Sequence, residues 1–290
     1  MIKISVIICA YNEEKNIGKL IDQMLDQSIK ANEIIVVSSG STDSTNNILS
    51  SFSKKHKEIK LLRQTQRKGK VRAVNLGLNH VKSDIIILCS ADVQLEKNTF
   101  EKLVEKFNNE KIGMVGAHPV PVNDPKTFAG FYSHLIWALH HDIALKIPKC
   151  GEVIAFRNLG YLIPEDVPID EAYLEFKFKK EGFLLAYAPG AIVHNHGPKT
   201  IADMFVQRRR IHAQHMFLKQ KFKYVVSTST PSFVFSALMS TFKPSFEYIF
   251  FLPIAVVLET ISILFASYDF FINKNAHKVW KIARSTKVVR

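Results

Sequence analysis

The chain has 290 residues, 47% hydrophobic and 22% charged, which is enough for one large domain with a substantial core and incompatible with a disordered protein. Its formal net charge of +13 points to an anionic partner: nucleic acid, acidic lipid headgroups or a phosphorylated substrate. Cys9, Cys89 and Cys150 are widely spaced and odd in number, which argues against a disulfide framework or a zinc cluster and for a reducing compartment.

From the N-terminus, Met-Ile-Lys-Ile runs directly into an apolar strand-like segment, so the first two-thirds of the chain is expected in the cytosol without a leader. Residues 4–10, 33–38, 59–63, 85–90 and 114–118 are Ile- and Val-rich and bounded by polar residues, which predicts strands. Amphipathic stretches at 14–27, 44–55, 70–81 and 97–107 predict helices between them, with Asn12 and Thr42 or Asp43 as N-caps. Strictly alternating strand and helix predicts βαβ units, hence an α/β domain whose mostly parallel, Rossmann-like sheet is flanked by helices. Ligands bind such sheets beyond the carboxyl ends of the strands, which draws attention to Asn12 and Glu13, Ser38 to Asp43, and Ser90 to Asp92.

A helix is expected over 128–147, then the segment 151–157, a helix starting near Asp170, a short strand pair at 184–187 and 191–194, and a long basic helix over 200–222. After residue 225 the composition turns apolar. Residues 248–272 are long enough to span a hydrocarbon core of about 30 Å, whereas 225–242 is shorter and broken at Pro231. Glu259 falls mid-segment, where a charge costs roughly 2.5–3.5 kcal/mol unless it is paired or protonated. Both flanks carry lysine, so charge does not separate a single pass from a hairpin; a hairpin or shallow insertion leaves the tail cytosolic. The domain plan is therefore residues 1–224 as a catalytic domain, 225–272 as C-terminal apolar membrane helices, and 273–290 as a basic cytosolic tail with six Lys or Arg and no acid. In that tail, Lys274, Lys278 and Lys281 with Trp280 and Ile282 suit a helix on an anionic surface. The basic residues flank the apolar part of the chain, so membrane lipids, and not nucleic acid, are the expected partner.

Several residue types match the chemistry of moving a group off a diphosphate. Asp92 ends a strand and suits a hard cation, Mg²⁺ or Mn²⁺, which takes one or two carboxylates plus phosphate oxygens; His194 and His196 stand at another strand end. Asp170 and Glu171, at a helix start, are candidates for a general base, although acids there also serve as plain caps. Gln207-Arg208-Arg209-Arg210 can hold a pyrophosphate through guanidinium forks or act only as a juxtamembrane charge run.

The order of these pieces carries more than any one of them. ISVIICAYNEE, IIVVSSGSTDST, RKGKVRAVNLG, ILCSAD, GEVIAFRN, DEAYLEFKFKKEGFLLAYAPGAIVHNHGP and QRRRI succeed one another along residues 2–215. This succession resembles the family 2 glycosyltransferases, which have a GT-A fold. The resemblance implies an inverting transfer from a nucleotide-sugar donor to a glycan acceptor, and the apolar stretch 248–272 suggests that this acceptor is lipid-linked or membrane-proximal. It places Ala10, Tyr11, Asn12 and Glu13 at the nucleoside, with Ser39 where an Asp commonly reads the base, Asp43 at the later Asp of that segment, and Lys70 beside the nucleotide. Ser90, Ala91 and Asp92 fall on the Asp-any-Asp metal motif, of which Asp92 is the last Asp, and His194 on a histidine that completes the metal shell in some members. Gly151 to Arg157 fall on the acceptor-side loop, Asp170 and Glu171 on the pair whose second member is the base, and Gln207, Arg210 and Ile211 on a Gln-any-any-Arg-Trp motif, with Arg208 inside it. Ser39 leaves the choice of base open, Ser90 removes a metal carboxylate, and Ile211 for Trp argues against a processive polymer synthase. The alternative reading is a non-catalytic nucleotide-sugar binding membrane protein.

Overall fold

The computed structural model describes residues 2–280. The first half is the predicted alternation: β1 (Ile4–Ala10), α1 (Ile17–Leu25), β2 (Glu33–Ser39), α2 (Thr45–Lys55), β3 (Ile59–Gln64), α3 (Lys70–Leu78) and β4 (Ile85–Ser90). These strands pair in parallel in the order β3-β2-β1-β4. Successive side chains of a strand point to opposite faces. Thus Val6 and Ile8 enter the core beneath α1 and α2, while Ile7 enters the core with α3 on the other face. The helices start at Ile17 and Thr45, while Asn12 and Asp43 bond across the loops, to the amides of Thr42 and Glu14.

The second half departs from a parallel sheet. It comprises β5 (Val93–Leu95), α4 (Thr99–Val104), β6 (Ile112–Pro121), α5 (Phe128–Lys146), β7 (Val153–Arg157), α6 (Asp170–Lys180) and β8 (Leu184–Asn195). The complete order is β3-β2-β1-β4-β7-β6-β8-β5, and β7 runs antiparallel to both β4 and β6. The expected strand pair at 184–194 is one continuous strand, β8. Pro189 and Gly190 do not turn the chain; they fall where its pairing with β6 skips residues. The reversal of β7 brings its start, with Gly151 and Glu152, to the edge where β4 ends: Cys89 pairs with Val153, and the Ser90 amide donates to the Glu152 carbonyl (3.1 Å).

Beyond β8 lie α7 (Ile201–Phe222), α8 (Pro231–Thr241), which has its proline in the first turn, and α9 (Phe246–Ser267). The helical run Phe246–Ile272 is long and apolar enough to cross a membrane. It does not stand apart from the globular part: Ala255 and Leu258 share a core with Phe131, Tyr132 and Leu135 of α5 and Met204 of α7. Glu259 is paired, accepting from Arg208 Nη2 (3.2 Å) with Arg208 Nε 2.6 Å away, and meeting His212 Nε2 (2.7 Å), with the Tyr132 hydroxyl beside it.

Candidate active site

The edge formed by the ends of β1, β2 and β4 and the start of β7 gathers most of the expected residues. Ala10 closes β1 and is buried. Tyr11 lies under the Arg67 guanidinium, 4.4 Å from ring centroid to carbon. Asn12 has a left-handed backbone (φ 52), which Asn tolerates better than most residues. Its side-chain oxygen accepts from the Thr42 amide (2.8 Å) and its own amide donates to Ser41 Oγ (3.1 Å), tying the β1 loop to the β2 loop. Glu13 is buried, with its amide on Thr45 Oγ1 (2.8 Å) and Asn16 Nδ2 on its carboxylate (2.9 Å). Ser39 donates to Gln64 Oε1 (2.7 Å). Asp43 accepts from the Thr45 and Glu14 amides; although burial opposes it, these bonds hold its carboxyl below the usual range. Asp43 therefore organises the loop wall.

Opposite this wall stand the charged groups. Lys70 opens α3, its Nζ 2.9 Å from Asp170 Oδ2 and 3.6 Å from Glu171 Oε2, both at the first turn of α6. Asp170 is fully buried; burial and the adjacent Glu171 push it up to about 7, against the pull of Lys70. Glu171 is held below the usual carboxylate range by the Lys70 ammonium, although burial opposes this. Between the two acids, Glu171 is the ionised one and keeps an exposed edge, at 22%. One turn on, buried Glu175 accepts from Lys149 Nζ (2.9 Å), the Cys150 amide (2.8 Å) and the Tyr224 hydroxyl (2.9 Å). This network locks α6 to the loop that leads into Gly151 and Glu152.

Glu152 is the functional candidate that reading the sequence missed. It follows Gly151 in a left-handed conformation (φ 54); burial and the nearby Asp92 carboxylate push it up to about 7, again against Lys70. Asn195 Nδ2 donates to its carboxylate (3.3 Å), while Asn195 Oδ1 is buried without a partner among the described residues. Only its position in GEVIAFRN signalled it, since a lone Glu before an apolar strand has no pattern of its own. Among the described residues, no three His, Cys, Asp or Glu side chains converge on one point. The set of Asp92, Glu152 and the orphaned Asn195 oxygen is nevertheless all hard oxygen, as Mg²⁺ or Mn²⁺ prefers, with diphosphate oxygens left to complete a shell. Ser90 closes β4 and Ala91 is buried behind Asp92.

Four expectations need correction. His194 bonds Glu96 Oε1 (3.2 Å), while His196, one step beyond the strand, shares a small cavity with Asp92, Gln94 and Asn16. Arg157 lies at the opposite edge of the sheet, since its strand partner Ile85 begins β4; its guanidinium donates to the carbonyls of Phe107, Asn109 and Ile112. Arg208 points to Glu259, away from the site. Arg210, two residues on, faces the site: burial brings its guanidinium down to about 10, opposed by Glu171, Glu152 and Asp92. Gln207, one turn earlier, shares that helix face. Finally, residues 273–280 form no helix; Lys274 and Lys278 are exposed, but the segment runs back over the site. Lys278 packs on Gly69 and Trp280 stacks on Arg210, whereas Lys281 and Ile282 lie outside the described residues.

Comparison with known proteins places this geometry. The family described as Glycosyl transferase family 2 matches residues 5–179. A dolichyl-phosphate beta-glucosyltransferase of Trichomonas vaginalis is 30% identical over 165 residues, 50% of this chain and 49% of that protein. The poly-beta-1,6-N-acetyl-D-glucosamine synthase of Staphylococcus epidermidis is 24% identical over 224 residues, 71% of this chain and 53% of that one. The chain thus spans about half the length of these curated relatives. Among solved structures, the mannosyltransferase PcManGT from Pyrobaculum calidifontis, in complex with GDP-Man and Mn²⁺, shares the fold with a TM-score of 0.66 at 20% identity, covering 94% of this chain and 88% of that one. The glucosyl-3-phosphoglycerate synthase of Mycobacterium tuberculosis, with Mn²⁺, UDP and glucosyl-3-phosphoglycerate, follows with a TM-score of 0.52 at 18% identity, over 76% and 80% of the two chains.

Proposed function

The chain belongs to glycosyl transferase family 2, and on that footing we propose that it catalyses an inverting transfer of a sugar from a nucleoside-diphosphate donor to a lipid-linked or membrane-proximal acceptor. The observation that carries the reading is the convergence, at one sheet edge, of Asp92 and Glu152 with Lys70, Arg210 and the Asp170–Glu171 pair. Glu171 is the base: it is ionised and partly exposed at the site, with the Lys70 ammonium beside it holding its pKa down. As the acceptor hydroxyl attacks the anomeric carbon, Glu171 takes its proton and the bond to the diphosphate breaks on the opposite face. Arg210 and Lys70 stand where negative charge collects on the leaving group, and fixed charges in a buried site stabilise such a transition state more than they would in water. Asp92, Glu152 and Asn195 would hold Mg²⁺ or Mn²⁺, which when bound neutralises the diphosphate. Tyr11, Ser39 and Arg67 line the nucleoside side.

The lipid-linked acceptor is supported by the outward face of α8 and α9, where Phe235, Met239, Phe250, Val257 and Leu264 are exposed, and by the named activity of the Trichomonas relative. The test is turnover of a panel of nucleotide sugars with Mn²⁺ and membrane extract, comparing wild type with Asp92→Ala and Glu171→Gln. One donor should turn over, and each variant should lose about 10²-fold or more in kcat. Donor binding with no turnover in any of the three would favour a non-catalytic sugar-nucleotide binder instead.

A further inference from the structure

The chain beyond α9 doubles back into the site. Asp269 holds it at one end, forked by Arg209 of α7, and bonds His277 Nε2 (2.7 Å); its carbonyl also accepts from the Asn275 amide (2.9 Å). Gln214 of α7 donates to the His277 carbonyl (3.3 Å). The Lys278 carbonyl then passes so close to Gly69 that a Cβ there would sit 2.9 Å from it, and Gly69 has a φ of 95 that other residues rarely adopt. Trp280 follows, with its ring centroid 3.8 Å from the Arg210 guanidinium carbon and 5.5 Å from Lys70 Nζ. Among the described residues, Trp280 Nε1 and Arg210 Nε are both buried without an acceptor.

We propose that Trp280 is a positioning residue of the donor site: its indole covers one face of Arg210, so that the in-plane N–H groups of the guanidinium, and the indole N–H, serve the leaving nucleoside diphosphate. The inference rests on the glycosyltransferase reading. A guanidinium stacked on an aromatic ring keeps its five donors in the ring-parallel plane, free for phosphate oxygens. Buried donors without acceptors are costly to desolvate and favour a ligand that supplies acceptors, and a diphosphate brings several. The stack sits beside Lys70, so the same ligand meets three groups delivered by three elements: α3, α7 and the returning tail. Ile211 follows Arg210 directly and supplies no indole; the ring comes from the far end of the chain.

Two measurements on the full chain test this. In steady-state kinetics, Trp280→Ala should lower kcat by about tenfold or more with a smaller change in KM for the donor, and Trp280→Phe should restore part of the loss, because its ring still stacks but carries no N–H. Equal loss in Phe and Ala, or no loss in Ala, would overturn the role. Separately, Trp137→Phe leaves Trp280 the one tryptophan in the chain. Its emission should shift saturably on titration with UDP or GDP in Mn²⁺, and no shift with either would overturn the placement. Wild-type transfer with an indifferent Trp280→Ala sinks the placement alone. A titrating Trp280 in a protein that transfers no sugar sinks the transfer reading alone.

Discussion

His140 sits on α5 against Gly151 and Trp137, buried, with neither ring nitrogen hydrogen-bonded among the described residues. Burial, helped by Lys149, brings its pKa down to about 3. The unfolded chain binds this proton first as the pH falls, so the stability associated with neutral His140 is complete above about pH 6.5 and is lost below it. The loss is at most about 1.4 kcal/mol per pH unit, or about 2–3 kcal/mol by pH 4.5. Urea unfolding of wild type and His140→Leu between pH 8 and 4.5 should show the slope reduced in the variant. It is reduced and not abolished, because half-buried His215 is displaced the same way. At this scale the sequence was most informative where a residue ends a strand, as with Asp92, or starts a helix, as with Lys70 and Asp170. It was least informative for Glu152, whose importance arises from Asp92 being placed next to it by strand pairing.

At the scale of the element, α7 explains why three consecutive arginines have three fates. Residues about 100° apart on a helix cannot share a target. Arg208 reaches Glu259, Arg209 reaches Asp269, and Arg210 reaches the site. Gln214, one turn beyond Arg210, continues the site-facing stripe by holding the tail, whereas His212 joins Arg208 at Glu259. Arg208→Met and Arg210→Met should therefore fail differently. Arg208→Met leaves Glu259 short of its cation inside an apolar helix and should cost about 3 kcal/mol of stability, measured by thermal unfolding in detergent, with much of it regained in a Glu259→Met double variant. Arg210→Met should unfold near the wild-type temperature and lose kcat. A matching fall in stability for the two would contradict the division. The arginine run was plain in the sequence, but its division was not, because helical phase becomes meaningful only once the neighbours on each side are known.

Taken as one molecule, the catalytic half and the apolar helices are less separable than a boundary at residue 224 suggests. Ala255 and Leu258 complete a core with α5 and α7, and the segment after α9 completes the donor side of the site. A chain cut after residue 224 should aggregate or melt well below the full protein, since it exposes Phe131, Leu135 and Met204 and strands Arg208. The outward apolar face predicts a second behaviour. The full protein should co-sediment with vesicles containing anionic lipid, and Phe250→Asp with Val257→Asp should release it while leaving the fold intact by circular dichroism, because both residues face outward. Retention on the vesicles by the double variant would move the contact surface elsewhere.

By itself the sequence determined the strand-helix alternation of the first half, the family, and the residues at the strand ends, because period-two and period-3.6 patterns and short loops are local properties. Tertiary structure alone decided that β7 runs backwards and so brings Glu152 to Asp92, that His196 shares a cavity with Asp92, that Arg157 lies on the far edge, and that Trp280 returns to Arg210. Each of these depends on strand direction, register or the return path of a long connection. These are fixed by contacts between residues far apart in the chain, which no local pattern encodes.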